Sequence, residues 1–382
     1  MKTVYLDSAA TTQLRPEVVA AMTAVLADSF GNPSSTHHSG RASKSLIEKA
    51  RKDIAKQLNV HPGEIIFTSG GTEADNLILQ SCVRDLGVER IISSPIEHHA
   101  VLHTIEELEQ DRGIQADWVR IKKCSNIDYD HLAELLEDRS KTTLVSLMHI
   151  NNEVGTKLDV DRVSELARNA GAYFHSDTVQ SIGHYEVDLG NSGIDFAAVA
   201  AHKFHGPKGA GFAYIRKETG LKPLIFGGAQ ERGMRAGTEA THNIVGMAKA
   251  MEIAYANLET ERAHIQGIKD HFIKQLKANV PGVSFNGSCE DPTKSTYTLL
   301  NVCLPLPPQK ALMLLFQMDL KGIACSKGSA CQSGSSGASH VLSAFLSEED
   351  LKKPSLRFSF SAFTTKEEID YVVDVLKEFV AS

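Results

Sequence analysis

The stretch Phe196-Ala-Ala-Val-Ala200-Ala-His202-Lys203-Phe-His205-Gly-Pro-Lys208-Gly209 passes from a short apolar run into a lysine set among small residues and glycines. A run of this length and composition reads as a buried strand, and the glycine-rich turn after it as the strand's mouth. A lysine there is placed to lose solvent, and a desolvated amine is a nucleophile able to form a Schiff base with an aldehyde cofactor. Taken alone, Lys203 reads as a surface lysine in a turn. Its surroundings decide between the two.

Outward from this stretch the same alternation recurs. Apolar runs at 65–68, 90–93, 144–149, 172–175 and 211–215 are each followed by Gly, Asn, Ser or Asp, with helical patterns between them. Val163, Leu166, Ala167 and Ala170 give one such helix, stopped by Gly171. The pattern predicts an α/β fold with a mostly parallel central sheet flanked by helices. Ligands of such sheets sit beyond the carboxyl ends of the strands, so polar residues just after the runs are the candidates for chemistry.

After Thr238 the pattern changes to a long helical stretch through Ile244, Met251 and Leu258, then Ile265, Phe272 and Leu276 after a kink. It leads into strand candidates at 283–285, 298–303 and 356–360 and a last helix with Ile369, Val372, Leu376 and Phe379 on one face. Thr365 and Glu368 form a capping box for that helix. The expected organisation is a large domain over 16–255 and a smaller α+β domain made of 1–15 plus 256–382.

Composition narrows the function classes. The 42% hydrophobic and 23% charged fractions are those of a globular chain, which excludes disordered and fibrous classes. A formal charge of -7 without a run of Lys and Arg gives no track for nucleic acid. Neither a secretory signal nor an apolar run of the roughly 18 residues that span a bilayer is present, so a cytoplasmic protein away from membranes is expected. Six scattered cysteines form no disulfide framework, and no second close pair joins Cys325 and Cys331 to make a metal site.

Three further strand ends carry polar groups. Asp177, twenty-six residues before Lys203, closes a buried run, where a carboxylate needs a cationic partner to stay ionised. A protonated pyridine nitrogen would serve, and a helix N-cap is the plainer alternative. Gly70, Gly71 and Thr72 lead from strand into helix, where exposed amides and the helix terminus make a cup for phosphate. His98 follows another strand and offers an imidazole able to stack on an aromatic ring.

These features occur in a recognisable order. The segments Tyr5-Leu-Asp-Ser-Ala-Ala-Thr-Thr12, Gly31-Asn-Pro-Ser-Ser35, Ser69 to Asn76, Glu97-His98, Met148 to Glu153, His175 to Gln180, His202-Lys203, Arg232 to Thr238, Gly328-Ser-Ala-Cys331 and Leu356 to Ser359 run nearly end to end. With them the chain resembles the class V aminotransferase-like, fold type I pyridoxal 5'-phosphate (PLP) enzymes, and among these the NifS/IscS-type cysteine desulfurases. The resemblance implies that Lys203 holds the cofactor and moves the substrate Cα proton, Asp177 pairs with the ring nitrogen and His98 stacks on the ring. Gln180 and Asn152 would lie near the ring hydroxyl, with Asn152 also near the substrate. Gly71, Thr72 and His202 would hold the phosphate, with Thr238 reaching in from the partner subunit of a homodimer.

The resemblance also makes Arg357 the grip on the substrate carboxylate, a task suited to its planar fork. Cys331 would accept sulfur from L-cysteine as a persulfide, alanine being released, for delivery to an acceptor protein in iron-sulfur or thio-cofactor synthesis. Thiolate is the nucleophile, so this cysteine needs activation in the site. Cys325 is expected to be inert. Rival readings are a selenocysteine lyase, a small-substrate aminotransferase, or a non-catalytic docking module for a sulfur carrier.

Two departures from the family pattern stand out. Ala200 occupies a position where the family commonly has a serine contacting the phosphate, so one hydrogen bond, about 1.5–3 kcal/mol, is missing. The end at Ser382 suggests the absence of the tail that longer members use with scaffold proteins. The spacing from Cys331 to Arg357 keeps the length of the long-loop class, and 333–339 reads as a mobile small-residue loop.

Overall fold

The structure, a computed structural model, describes residues 3–327 and 339–381. In chain order the strands are β1 (Val4–Tyr5), β2 (Ile65–Thr68), β3 (Arg90–Ser93), β4 (Gln115–Trp118), β5 (Thr143–Ser146) and β6 (Tyr173–Asp177), followed by β7 (Phe196–Ala200), β8 (Gly211–Ile215), β9 (Ser284–Phe285), β10 (Leu299–Cys303), β11 (Ile323–Ala324) and β12 (Ser355–Ser359).

The large sheet has the order β2-β8-β7-β6-β5-β3-β4. Its pairs are parallel except those of β8, which runs against both neighbours. The runs β2, β3, β5, β7 and β8 are buried at every residue, as strands covered on both faces must be. One face packs Phe67, Val145, Phe174, Val199 and Phe212 with helices that include His38–Gln57 and Thr241–Ala256. The other packs Ile66, Ile91, Leu144, Phe196 and Ala213 against Gly71–Leu86 and His99–Arg112.

The kink expected between Leu258 and Ile265 falls earlier, as a break at Asn257 between the helices Thr241–Ala256 and Leu258–Asn279. A second core gathers Ile268, Phe272, Leu300, Phe358, Val372 and Leu376, where β10 pairs with β12 and β9 and the last helix, Lys366–Ala381, packs on Leu258–Asn279. The capping box is present: Thr365 N–H donates to Glu368 Oε2 at 2.8 Å, and Glu368 N–H to Thr365 Oγ1 at 3.2 Å. β1 joins this part of the molecule by pairing in parallel with β11.

Strands β5 and β4 differ from expectation, and the short β1 and β11 were not expected. The run at 144–149 ends as a strand at Ser146, because the chain then turns and carries Met148 into a cavity. β4 carries no apolar signal, being an edge strand of partly exposed residues.

Candidate active site

Four strand ends converge on one cavity. It has a volume of about 240 Å³ and is lined by, among others, Gly71, Thr72, His98, Asn152, Asp177, Gln180, His202, Lys203 and Arg357. These are the sequence-predicted residues apart from Thr238 and Cys331. Thr238 is exposed and does not line the cavity of its own chain, and Cys331 lies outside the described residues.

Lys203 is placed by a single turn of 3-10 helix, Ala201–Lys203, directly after β7. Its Nζ donates to the carbonyls of Ala9 at 2.6 Å and Ala10 at 3.0 Å. Its own carbonyl lies 3.0 Å from His184 Nε2, so that imidazole donates and fixes the turn. The N-terminal segment is bound to the same turn through Thr12, whose N–H and Oγ1 both donate to His202 O at 2.9 Å.

Asp177 ends β6 and is 5% exposed, which raises its carboxyl to about 6; the Val179 N–H and the Lys203 cation act in the opposite sense. Its Oδ1 accepts from Val179 N–H at 2.9 Å, and the residues that follow form turns and no helix, so the N-cap alternative does not apply. Asp75 lies beside it on the helix Gly71–Leu86, buried at 1% exposure with Oδ1 3.4 Å from His175 Nε2. Burial, then the charges of Asp177 and Glu97, hold Asp75 well above the carboxylate range. Asp75 is thus held protonated, and Asp177 is the carboxyl on this wall that a cation would ionise.

His98 caps the helix His99–Arg112, its Nδ1 accepting from Ala100 N–H at 3.1 Å. Burial first, and then the nearby Lys203 ammonium, lower its pKa to about 4, so the ring is neutral and apolar-faced at physiological pH. His202 is lowered to about 4 by burial and then by Lys203 and Lys208. Gln180 Nε2 donates to Ala9 O at 3.0 Å.

Gly71 opens the helix without a side chain, and a Cβ there would come within 2.7 Å of Val179 Cγ2. Ala200, 2% exposed, lines the same end of the cavity with no polar group. Arg357, on β12 and 1% exposed, donates from Nη1 to Asn152 O and from Nη2 to Asp7 Oδ1, both at 2.8 Å. Beside it, burial and then Asp7 push the Cys325 thiol up to about 12, which leaves it protonated.

Several cavity residues escape the sequence reading: Ala9, Ala10, Asp75, Met148 and Val179. Asp75 alone carries a signal, a carboxylate on the inward face of an amphipathic helix beside Ala74 and Ile78. Ala9 and Ala10 act through backbone carbonyls, which leave no trace in residue type.

The chain is similar to several known proteins. The chain is 41% identical over 379 residues to a protein named cysteine desulfurase IscS from Dictyoglomus turgidum, covering 99% of this chain and 94% of that one. It is 40% identical to the putative cysteine desulfurase IscS 1 of Bacillus subtilis, with 99% of each covered. Among solved structures, a NifS-like protein superposes with a TM-score of 0.90 at 34% identity over the whole of both chains. A structure described as SspA in complex with cysteine gives 0.80 at 30% identity, covering 95% of this chain and 100% of that one. The family model described as Aminotransferase class-V matches residues 4–372. The chain therefore belongs to the class-V aminotransferase family.

Proposed function

We propose that this protein is a PLP-dependent cysteine desulfurase, which converts L-cysteine to L-alanine and takes the sulfur onto Cys331 as a persulfide. The observation that carries the reading is the convergence on one cavity of Lys203, Asp177 and His98, from the ends of three strands of the large sheet, with Arg357 from the middle of β12. The relatives named cysteine desulfurase, and the solved neighbour described with cysteine, support the substrate.

The residues fit the cofactor. The buried carboxyl of Asp177 awaits a cation, a neutral imidazole offers a ring face, and Gly71 leaves the room that a side chain would take. Asp177 would hold the ring nitrogen, and His98 would cover the ring. Gln180 and Asn152 would meet its hydroxyl. Gly71, Thr72 and His202 would hold the phosphate, completed in a homodimer by Thr238 of the partner subunit. Bound there, PLP supplies an aldehyde that captures amines and a ring that takes up the electron pair left at Cα.

The protein's own groups supply the rest. Lys203 accepts the Cα proton and returns it. Arg357 orients the substrate carboxylate, with its fork already fixed by Asn152 and Asp7. Cys331 attacks the substrate sulfur, which it later passes to an acceptor protein in the cytoplasm for iron-sulfur cluster or thio-cofactor synthesis.

Incubation with L-cysteine and PLP should give alanine and one extra sulfur on Cys331 by mass, and Cys331→Ser should abolish both. A Cys331→Ser variant with undiminished turnover would mark an aminotransferase instead. Borohydride treatment should leave a pyridoxyl group on Lys203.

A further inference from the structure

Two consecutive residues with side chains, Glu231 and Arg232, adopt left-handed backbone angles, with φ of 47° and 57°. Only glycine takes this conformation without steric cost, and two in succession persist only where their surroundings hold them. Glu231 supplies much of that hold. It is 4% exposed, its Oε1 accepts from Arg51 Nη2 at 2.8 Å, and its Oε2 accepts from Arg51 Nη1 at 2.7 Å and from Phe67 N–H at 2.8 Å. Arg51, buried on the helix His38–Gln57, also donates to Ile65 O at 2.6 Å and lies over the Phe67 ring. Arg232 is tied back separately, through Pro62 O and Glu48 Oε2, both at 3.0 Å.

The held turn leads directly to Thr238. Met234 N–H donates to Glu231 O at 3.0 Å, and the N–H of Gly237, next to Thr238, donates to Gln230 Oε1 at 3.1 Å. Between these points Arg235 forms a two-point pair with Glu73, at 2.8 and 3.1 Å, and Ala236 is buried, whereas Gly237 and Thr238 are exposed. Phe67 belongs to β2, which runs into the phosphate cup, and Glu73 adjoins Thr72 of that cup. The segment 230–238 is thus fastened to the frame of its own subunit's cup, yet it ends in a residue that does not line that subunit's cavity.

A buried ion pair stabilises little more than well-packed apolar side chains would, so its presence under a strained turn points to geometry. We propose that Arg51 and Glu231 are positioning residues for Thr238, holding the left-handed turn that aims it at the cofactor phosphate of the partner subunit. The proposal rests on the reading of the protein as a PLP-binding homodimer in which Thr238 crosses over. Each subunit then lends its partner a hydroxyl carried on the frame of its own cup. A donor fixed before the phosphate arrives has little freedom left to lose on binding.

The test uses full-length mixed dimers assembled from differently tagged protomers, freed of cofactor and titrated with PLP. Borohydride fixes the pyridoxyl group on Lys203 for counting by mass, and one protomer of each dimer carries Lys203→Ala, so only the other is counted. Arg51→Met with Glu231→Gln removes the pair without leaving a buried charge, and the Gln side chain keeps an acceptor for Phe67 N–H. Placed in the uncounted protomer, this double substitution should raise the PLP concentration for half-saturation about tenfold, the effect of losing one hydrogen bond to a charged group. Placed in the counted protomer, it should change that concentration by less than about twofold. Gln230→Ala, which frees Gly237 N–H and disturbs no buried charge, should act in the same crossed sense. Loss confined to the counted protomer, equal loss in both arrangements, or no loss in either overturns the proposal. Thr238→Ala in the uncounted protomer is the control. Should it leave the counted site unaltered, the crossed-over Thr238 of the functional reading fails and takes this proposal with it, and a wild-type dimer that fixes no pyridoxyl group on Lys203 sinks that reading altogether.

Discussion

Arg357 and Asp7, 350 residues apart in the chain, form an ion pair of 2.8 Å in which the guanidinium is 1% exposed. The pair holds one arm of the fork while Asn152 O holds the other. A hydrogen bond to a charged group is worth about 1.5–3 kcal/mol, and a fork that turns freely loses its two-point grip on a carboxylate. Asp7→Ala should raise KM for L-cysteine by about tenfold and change kcat less, because the contact serves binding more than the transition state. Steady-state kinetics check this, and an unchanged KM would show that Asp7 has no part in orienting Arg357.

Asp177 should cost the cofactor-free protein stability at neutral pH. Burial raises its carboxyl to about 6, above its ordinary value, so the folded state prefers the protonated form. The cost is absent below the unfolded pKa, grows as pH rises through the window from about 4 to 6, and reaches on the order of 2–3 kcal/mol above it. Cofactor-free Asp177→Asn should therefore melt higher than cofactor-free wild type at pH 7.5, with the gap closing by pH 4. It should also retain PLP poorly. Parallel melting curves at all pH values would contradict this account.

Ala200→Ser should tighten PLP binding. The position is buried at the cavity wall, and the added hydroxyl would restore a donor to the phosphate, a gain of about tenfold in affinity. Equilibrium titration of the cofactor-free protein measures it. No improvement would mean that another group already fills that place.

Gly71→Ala should do the opposite. Its methyl would press on Val179 Cγ2 at 2.7 Å, closer than carbon atoms tolerate, so the turn or Val179 must shift. The expected result is a loss of PLP affinity of about tenfold or more with a fold that stays intact by circular dichroism. Unaltered affinity would remove Gly71 from the phosphate cup.

The sheet was largely legible because its strands at 65–68, 90–93, 196–200 and 211–215 are unbroken apolar runs, and the structure reproduces each of them. The run at 144–149 misleads by three residues, 147–149: Leu147 and Met148 are buried, but beyond the sheet, where burial says nothing about strand pairing. Gln115–Trp118 was invisible because an edge strand half-open to water needs no apolar pattern. In the cavity, Lys203, Asp177 and His98 were readable from their places at strand ends. The contacts of Lys203 with the Ala9 and Ala10 carbonyls, and of Arg357 with Asp7, were not, since they join distant segments through groups that carry no local signature.

Pairing of Val4–Tyr5 with Ile323–Ala324 bears on how the molecule is made. Val4–Tyr5 leaves the ribosome more than 300 residues ahead of its partner, a wait of roughly 15–60 s at ordinary elongation rates. Asp7 waits longer still, for Arg357. The cavity thus gains this wall only once Arg357 has emerged, and nascent chains arrested before Arg357 should bind little of the vitamin.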